Sequence, residues 1–232
     1  MDAYEHVAGL VLSHDDRPAV VAVTGAVAVG KTAAARALGS ALAARRVAIV
    51  GTDGFLMTNA ELASNGLVME KGHPCTYDVV GLAQFVADVR AGRRTTAPRY
   101  SHLSYDRVPG AVHVVADVDV LVLEGLHLLH DVFEPVRTLV DLAVYLDASD
   151  ADLERWYNDR FRALVAEARD EPDAFELFRT LEVESCDDVA REIWRSMNAP
   201  NVERFVRPTR SRADVVLEKG PDHTIVRIVE QA

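Results

Sequence analysis

The chain has 232 residues, 49% of them apolar, and a formal net charge of −11. That length and apolar content suit one α/β domain with a real core and exclude a disordered chain. The acidic balance argues against a nucleic-acid binder, whose footprint is a basic face, and two cysteines (Cys75, Cys186) are too few for a disulfide framework.

The opening stretch, "MDAYEHVAGLVLSHDD", lacks a basic leader followed by a long apolar core, so no signal peptide is expected. No apolar run reaches membrane-spanning length, and a reduced cytoplasmic setting is the expectation. Residues 1–18 read as a short N-terminal extension to a single domain covering 1–232. Short β-rich runs then alternate with helical patterns, the signature of a mostly parallel sheet with helices on both faces. Strands are predicted at 19–24, 47–52, 119–124, 142–147 and 213–218, with a final alternating run at 223–229 as an edge strand. Helices are predicted over roughly 31–44, 79–91, 150–168 and 187–197, the third capped by Asp150 and carrying Leu153, Trp156, Tyr157, Phe161 and Leu164 on one stripe. No Pro/Gly-rich linker divides the chain.

The first strand runs into Gly25-Ala26-Val27-Ala28-Val29-Gly30-Lys31-Thr32, a Walker A pattern placed between a strand and a helix. Glycines let backbone amides turn inward as an anion nest, and the helix opening at Lys31, with Ala33 in its first turn, aims its positive end at the same point. Lys31 would reach the outer phosphates of a nucleotide, and the Thr32 hydroxyl would ligate Mg²⁺. A second metal-side carboxylate is expected at a neighbouring strand end, and "DVLVLEGLHLL" supplies Glu124 there.

Phosphate binding alone does not separate a kinase from a switch or a motor. In "VGTDGFL", Asp53 follows the second strand, where strand ends of open α/β sheets face the ligand crevice. A carboxylate at that point can orient a hydroxyl and accept its proton during phosphoryl transfer. The alternative is an Asx-turn before Gly54. The stretch "APRYSHLSYDRVPG" (97–110) reads as a long polar-aromatic loop, the kind that carries function. In "LERWYNDRFRALV", Arg160 is a candidate for neutralising the transferring phosphoryl group, against an i,i+4 ion pair on its own helix.

Taken together, "GAVAVGKT", "TDGFL", "GLVMEKGHPCTYD", "APRYSHLSYD", "DVLVLEGLHLL", "WYNDRF", "IWRSMNAPNVERFVRPTRSRA" and "LEKGPDH" resemble the bacterial type I pantothenate kinases, from about residue 19 to the C-terminus. The resemblance implies a P-loop kinase fold, usually dimeric, and transfer of the ATP γ-phosphate to the primary hydroxyl of pantothenate. It implies that Lys31, Thr32 and Glu124 hold ATP and Mg²⁺ and that Asp53 activates the acceptor. Tyr100, His102, Tyr105, Tyr157 and Asn198 would line the pantothenate pocket, Arg160 would stand near the transferring phosphate, and Lys219 and His223 would flank the adenine. Coenzyme A is a feedback inhibitor in that family, so Arg36 and His102 would also meet its phosphates and pantetheine.

The chain departs from the pattern at several points. Family members carry a longer segment ahead of the P-loop, whereas 24 residues precede Gly25 here. Ungapped alignment puts Arg169 and Glu176 where two lid phenylalanines are usual, with Phe175 or Phe178 as substitutes after a small shift; His73 and Cys75 replace a phenylalanine and a glutamate. These changes keep open a kinase for a nucleoside, a sugar or a pantothenate analogue, and a non-catalytic nucleotide or coenzyme A sensor. The arrangement expected of any kinase reading is that Lys31 and Asp53, at the tips of adjacent β-elements, converge on one phosphoryl group.

Overall fold

A computed structural model describes residues 2–13 and 18–231. Among these, six strands form one sheet in the order β2-β5-β1-β6-β7-β8, where β1 is Ala19–Gly25, β2 Val47–Gly51, β5 Val120–Glu124, β6 Leu142–Asp147, β7 Val215–Lys219 and β8 Ile225–Glu230. All pairings are parallel except β7 with β8, the antiparallel edge that the alternating C-terminal run predicted. The remaining strands, β3 (Thr95–Ser101) and β4 (Asp106–Val115), make a separate antiparallel hairpin. Residues 97–110 are therefore the core of this hairpin and not a loop.

Alternation along the central strands explains the two layers. Val21 and Val23 of β1, with Val120 and Val122 of β5, face α1 (Ala3–Val11), α2 (Lys31–Ala41) and α6 (Asp150–Ala168). Val20, Ala22, Leu121 and Leu123 face the other way, onto Leu82, Phe85 and Val86 of α4 (Val79–Arg90) and onto Phe133 and Val136, which flank the start of the short α5 (Glu134–Arg137). A sheet buried on both faces has no polar alternation to offer, hence the continuous apolar runs.

Three helix boundaries differ from the sequence reading. Helix α2 ends at Ala41, a turn earlier than expected. The cap of α6 is Ser149, whose hydroxyl accepts from the Asp152 amide; Asp150 is the first helical residue, where its charge still suits the helix dipole. The fourth predicted helix is α8 (Cys186–Ile193), continued by a π-helical turn over Trp194–Asn198, by α9 (Ala199–Asn201), and by a second π turn over Val202–Val206. Four helices were not anticipated: α1 in the N-terminal extension, α3 (Asn59–Asn65) with a Thr58–Glu61 capping box, the short α5, and α7 (Glu176–Thr180). No helix among the described residues is long and apolar enough to cross a membrane.

Candidate active site

The C-terminal edge of the sheet positions the site. Gly51 of β2, Glu124 of β5 and Val23 of β1 stand side by side in register, so three strand ends open onto one crevice. The expectation of adjacent tips needs correcting: β5 lies between β1 and β2, and it inserts Glu124 between the lysine and the aspartate.

The nest begins where β1 stops. Gly25 has φ +140°, and a Cβ there would lie 2.5 Å from the Leu146 carbonyl oxygen of β6, so the turn requires glycine. Ala28 is held at φ +63°, a sparsely populated conformation for a residue with a side chain and one that marks functional loops. Gly30, also left-handed, caps α2 without a side-chain hydrogen bond, leaving the first amides of the helix facing the loop. Lys31 folds back, its Nζ donating to the carbonyls of Ala26 (2.9 Å) and Gly25 (3.2 Å). Burial pushes its pKa down to about 8, against the opposing pull of Glu124 and Asp53. An ammonium held only by loop carbonyls in a nest of amides suits a polyanion. The Thr32 hydroxyl donates to Glu124 Oε1 at 2.7 Å, which pairs two hard oxygen donors of the kind Mg²⁺ takes while keeping its waters. Ala33 and Arg36 are exposed on the first two turns of α2.

Asp53 sits in a 3₁₀ turn (Thr52–Phe55), and its carboxylate makes no Asx-turn, so the turn alternative falls. The reason for the following glycine is packing: a Cβ on Gly54 would fall 2.0 Å from the Pro98 carbonyl oxygen, because the hairpin lies directly against this turn. Asp53 is open to the cleft over a third of its side chain (33%). Its pKa is raised, chiefly by desolvation, while Lys31, Arg160 and Lys71 pull it down. Tyr77 is buried beside it; burial and then the Asp53 charge hold the phenol well above its usual pKa.

The hairpin carries three of the residues expected on the acceptor side, Tyr100, His102 and Tyr105. His102 Nε2 stands 3.8 Å from Asp53 Oδ2. Desolvation and the neighbouring Arg160 charge depress the His102 pKa, so at neutral pH a neutral imidazole faces the carboxylate and no ion pair forms. The Tyr100 ring packs edge-on against His102, and Tyr105 (φ +53°) meets Phe175 in a tilted contact at 5.2 Å. Arg160 of α6 makes no ion pair with another side chain of its helix, which disposes of the i,i+4 alternative; its charge acts on Lys31, Asp53, Tyr100, His102, Tyr105 and Tyr157. Asn198, at the end of the first π turn, donates through Nδ2 to the Ile193 carbonyl, and burial raises the pKa of Tyr157. A π turn shifts the register of a helix face and recurs at functional sites, which accounts for the irregular stretch here.

The phenylalanines weighed as substitutes for the usual lid pair join one aromatic cluster. Phe175 and Phe178 contact Tyr105, and Phe178 meets Phe161 edge-on at 5.5 Å, while Arg169 and Glu176 are exposed. Of the nucleotide-side positions, Lys219 is buried and donates to the Val29 carbonyl at 2.8 Å, and His223 stacks on Trp156 with centroids 3.9 Å apart. Both therefore lie beside the nest, with Lys219 bracing it from β7.

Sequence reasoning missed Lys71 and Tyr77. Lys71 Nζ donates to Asn59 Oδ1 (2.6 Å) and to the Tyr105 carbonyl, and lies 4.1 Å from the centre of the Tyr105 ring. Burial depresses its pKa to about 8 although Asp106 and Asp53 favour its charge. The signal was a lone lysine in "MEKGHP", indistinguishable from a solvated one without the fold.

Comparison with known proteins agrees with this geometry. A model of the phosphoribulokinase/uridine kinase family matches residues 20–160. A pantothenate kinase of Streptomyces coelicolor is 45% identical over 231 aligned residues, covering 93% of this chain and 70% of the relative. One of Sorangium cellulosum is 44% identical, covering 90% and 71%. Among solved structures, a fructose transport system kinase from Silicibacter sp. superposes with a TM-score of 0.76 at 23% identity, covering 93% of this chain and 99% of the other. D-glycerate 3-kinase from Cryptococcus neoformans gives 0.70 at 15% identity with 99% of both chains covered. At those identities the two structures speak for the fold alone.

Proposed function

The chain belongs to the bacterial pantothenate kinases within the phosphoribulokinase/uridine kinase family, and from that membership we propose that it transfers the ATP γ-phosphate to the primary hydroxyl of pantothenate. The observation that carries the reading is the convergence on Asp53: Lys31 arrives from the P-loop, Arg160 from α6 and His102 from the hairpin.

The division of labour follows from that geometry. Asp53 orients the acceptor hydroxyl and takes its proton as the new O–P bond forms and the bond to the β-phosphate oxygen breaks. Its raised pKa brings it closer to working pH than a free aspartate, which favours a general base. Lys31 and Arg160 face the charge that spreads over the transferring group. Thr32 and Glu124 would hold Mg²⁺, which when bound neutralises phosphate oxygens. Tyr100, His102, Tyr105, Tyr157 and Asn198 would bind the acceptor under the wall of Phe175 and Phe178, and Lys219, His223 and Gly25–Thr32 would receive the nucleotide.

A homodimer and inhibition by coenzyme A, with Arg36 and His102 reaching it, are proposed on family membership. Sedimentation velocity and a coenzyme A titration against ATP test them. The rival acceptors draw their support from Arg169 and Glu176, both of them exposed, whereas the aromatic contacts of Phe175 and Phe178 with Tyr105 support the apolar acceptor. The test is ADP release in the presence of Mg²⁺ with pantothenate, nucleosides and sugars in parallel. Turnover with pantothenate at least tenfold above every other acceptor is the expected outcome; ATP binding without pantothenate-dependent ADP release overturns the reading.

A further inference from the structure

We propose that His127 and Asn201 are positioning residues: together they clamp the Gly72 carbonyl and so hold the Lys71 ammonium in the cleft beside Asp53. The inference rests on the kinase reading above and adds residues that it does not use.

Two donors from distant parts of the chain meet on one acceptor. His127 Nε2 lies 2.7 Å from the Gly72 carbonyl oxygen, and Asn201 Nδ2 donates to the same oxygen at 3.1 Å. A carbonyl only accepts, so Nε2 carries the proton and Nδ1 of the imidazole is bare. That Nδ1, and the Oδ1 of Asn201, are buried with no hydrogen-bond partner among the described residues. His127 itself is 1% exposed and sits in an aromatic nest of Tyr77, His130, Phe133 and Phe205. Packing alone would be better served by phenylalanine, which fills the same nest without stranding a polar atom. What the imidazole gives in return is its hold on Gly72.

The consequence is local. Gly72 is the next residue after Lys71 and has a left-handed φ of +87°, so fixing its carbonyl fixes the turn that presents the lysine. Behind the turn, Thr76 accepts from the Gly72 amide and donates to the His73 carbonyl. In front of it, Lys71 reaches Asn59 and the Tyr105 carbonyl and adds its charge to the field at Asp53. The edge of Tyr77 gives a second path, since its ring meets His127 at 5.8 Å and its hydroxyl adjoins Asp53. Burial depresses the His127 pKa against the opposing pull of its Gly72 hydrogen bond, so the ring stays neutral, holds geometry and moves no proton.

The test compares His127→Phe and His127→Gln, the second restoring a donor near the Nε2 position. His127→Phe should melt at or above the parent's temperature, lose at least tenfold in kcat/KM for the acceptor, and change KM for ATP less than twofold. His127→Gln should recover acceptor kcat/KM to within threefold of the parent. Independently of any turnover, the pH midpoint for acylation of Lys71, followed by peptide mass spectrometry, should rise by at least half a unit in His127→Phe. An unchanged midpoint, or equal loss toward both substrates, overturns the inference even if the acceptor is not pantothenate. Should His127→Phe fail to fold, Asn201→Leu carries the same expectations, and its failure to meet them overturns the proposal.

Discussion

The hydroxyl of Thr32 donates to Glu124 Oε1 at 2.7 Å, joining the first turn of α2 to the end of β5. One oxygen comes from the helix that follows the P-loop and the other from β5, the strand beside β2 in the sheet, so the pair bridges the P-loop and the strand that adjoins the Asp53 turn. Replacing Glu124 by Gln keeps the hydrogen bond and removes the charge. We expect Mg²⁺ to be required at about 10–100-fold higher concentration, read from turnover across a Mg²⁺ titration with ATP held in excess. An unchanged Mg²⁺ requirement would remove Glu124 from the metal side.

Asp53→Asn should separate chemistry from stability. Turnover should fall by about 10²–10⁴-fold with ATP affinity within threefold, measured by steady-state kinetics and calorimetry. The stability change runs the other way. Desolvation raises the native pKa of Asp53, so the native state holds its proton more tightly than the unfolded chain, and stability is lost as pH rises through that window. At pH 7 the amide escapes that cost, and the variant should melt at or above the parent's temperature. A lower melting point would mean that the carboxylate stabilises the fold.

Lys31 and Lys71 predict an alkaline limit. Both have native pKa values pushed down to about 8 by burial. As pH rises past that value the free enzyme loses positive charge where phosphate and acceptor arrive. The profile of kcat/KM should therefore fall above pH 8, and that of kcat should fall later, because a bound anion restores the charge of Lys31. Folding stability has the opposite slope: the unfolded lysines bind more protons between about 8 and 10.5, so these two groups make the protein more stable across that interval. A kcat/KM profile that stays flat to pH 9.5 would show that neither charge matters to binding.

The apolar wall can be tested against its exposed neighbours. Phe175→Ala should raise acceptor KM about tenfold, in proportion to the aromatic surface it removes from beside Tyr105. Phe178 is buried, and its truncation should also cost about 3–5 kcal/mol of stability, visible in urea unfolding. Arg169→Ala and Glu176→Ala should leave acceptor KM within twofold. A large effect at either charged position would return it to the pocket.

Much of this was legible in the sequence for a physical reason. Strands buried on both faces write themselves as unbroken apolar runs, and the P-loop needs glycines that fall at fixed offsets from such a run, so Gly25, Gly30, Lys31, Thr32 and Glu124 stood out. The hairpin did not. It packs one side on α4 and leaves β4 largely to solvent, so its residues are polar and interrupted by Pro98 and Gly110, which read as loop signals. Ser149 and Asp150 are both good caps, and periodicity could not choose between them. Lys71 and His127 escaped notice because their roles arise from a turn and an aromatic nest assembled by residues from 52 to 205. No local spacing encodes that.

The interposed β5 acts as a ruler. Two strand spacings of about 4.8 Å separate the chain that carries Lys31 from the chain that carries Asp53, and backbone hydrogen bonding sets that interval. No side-chain substitution can lengthen it. Shifts in what the protein phosphorylates must then come from the hairpin and the C-terminal helices, while the distance a phosphoryl group travels stays with the sheet.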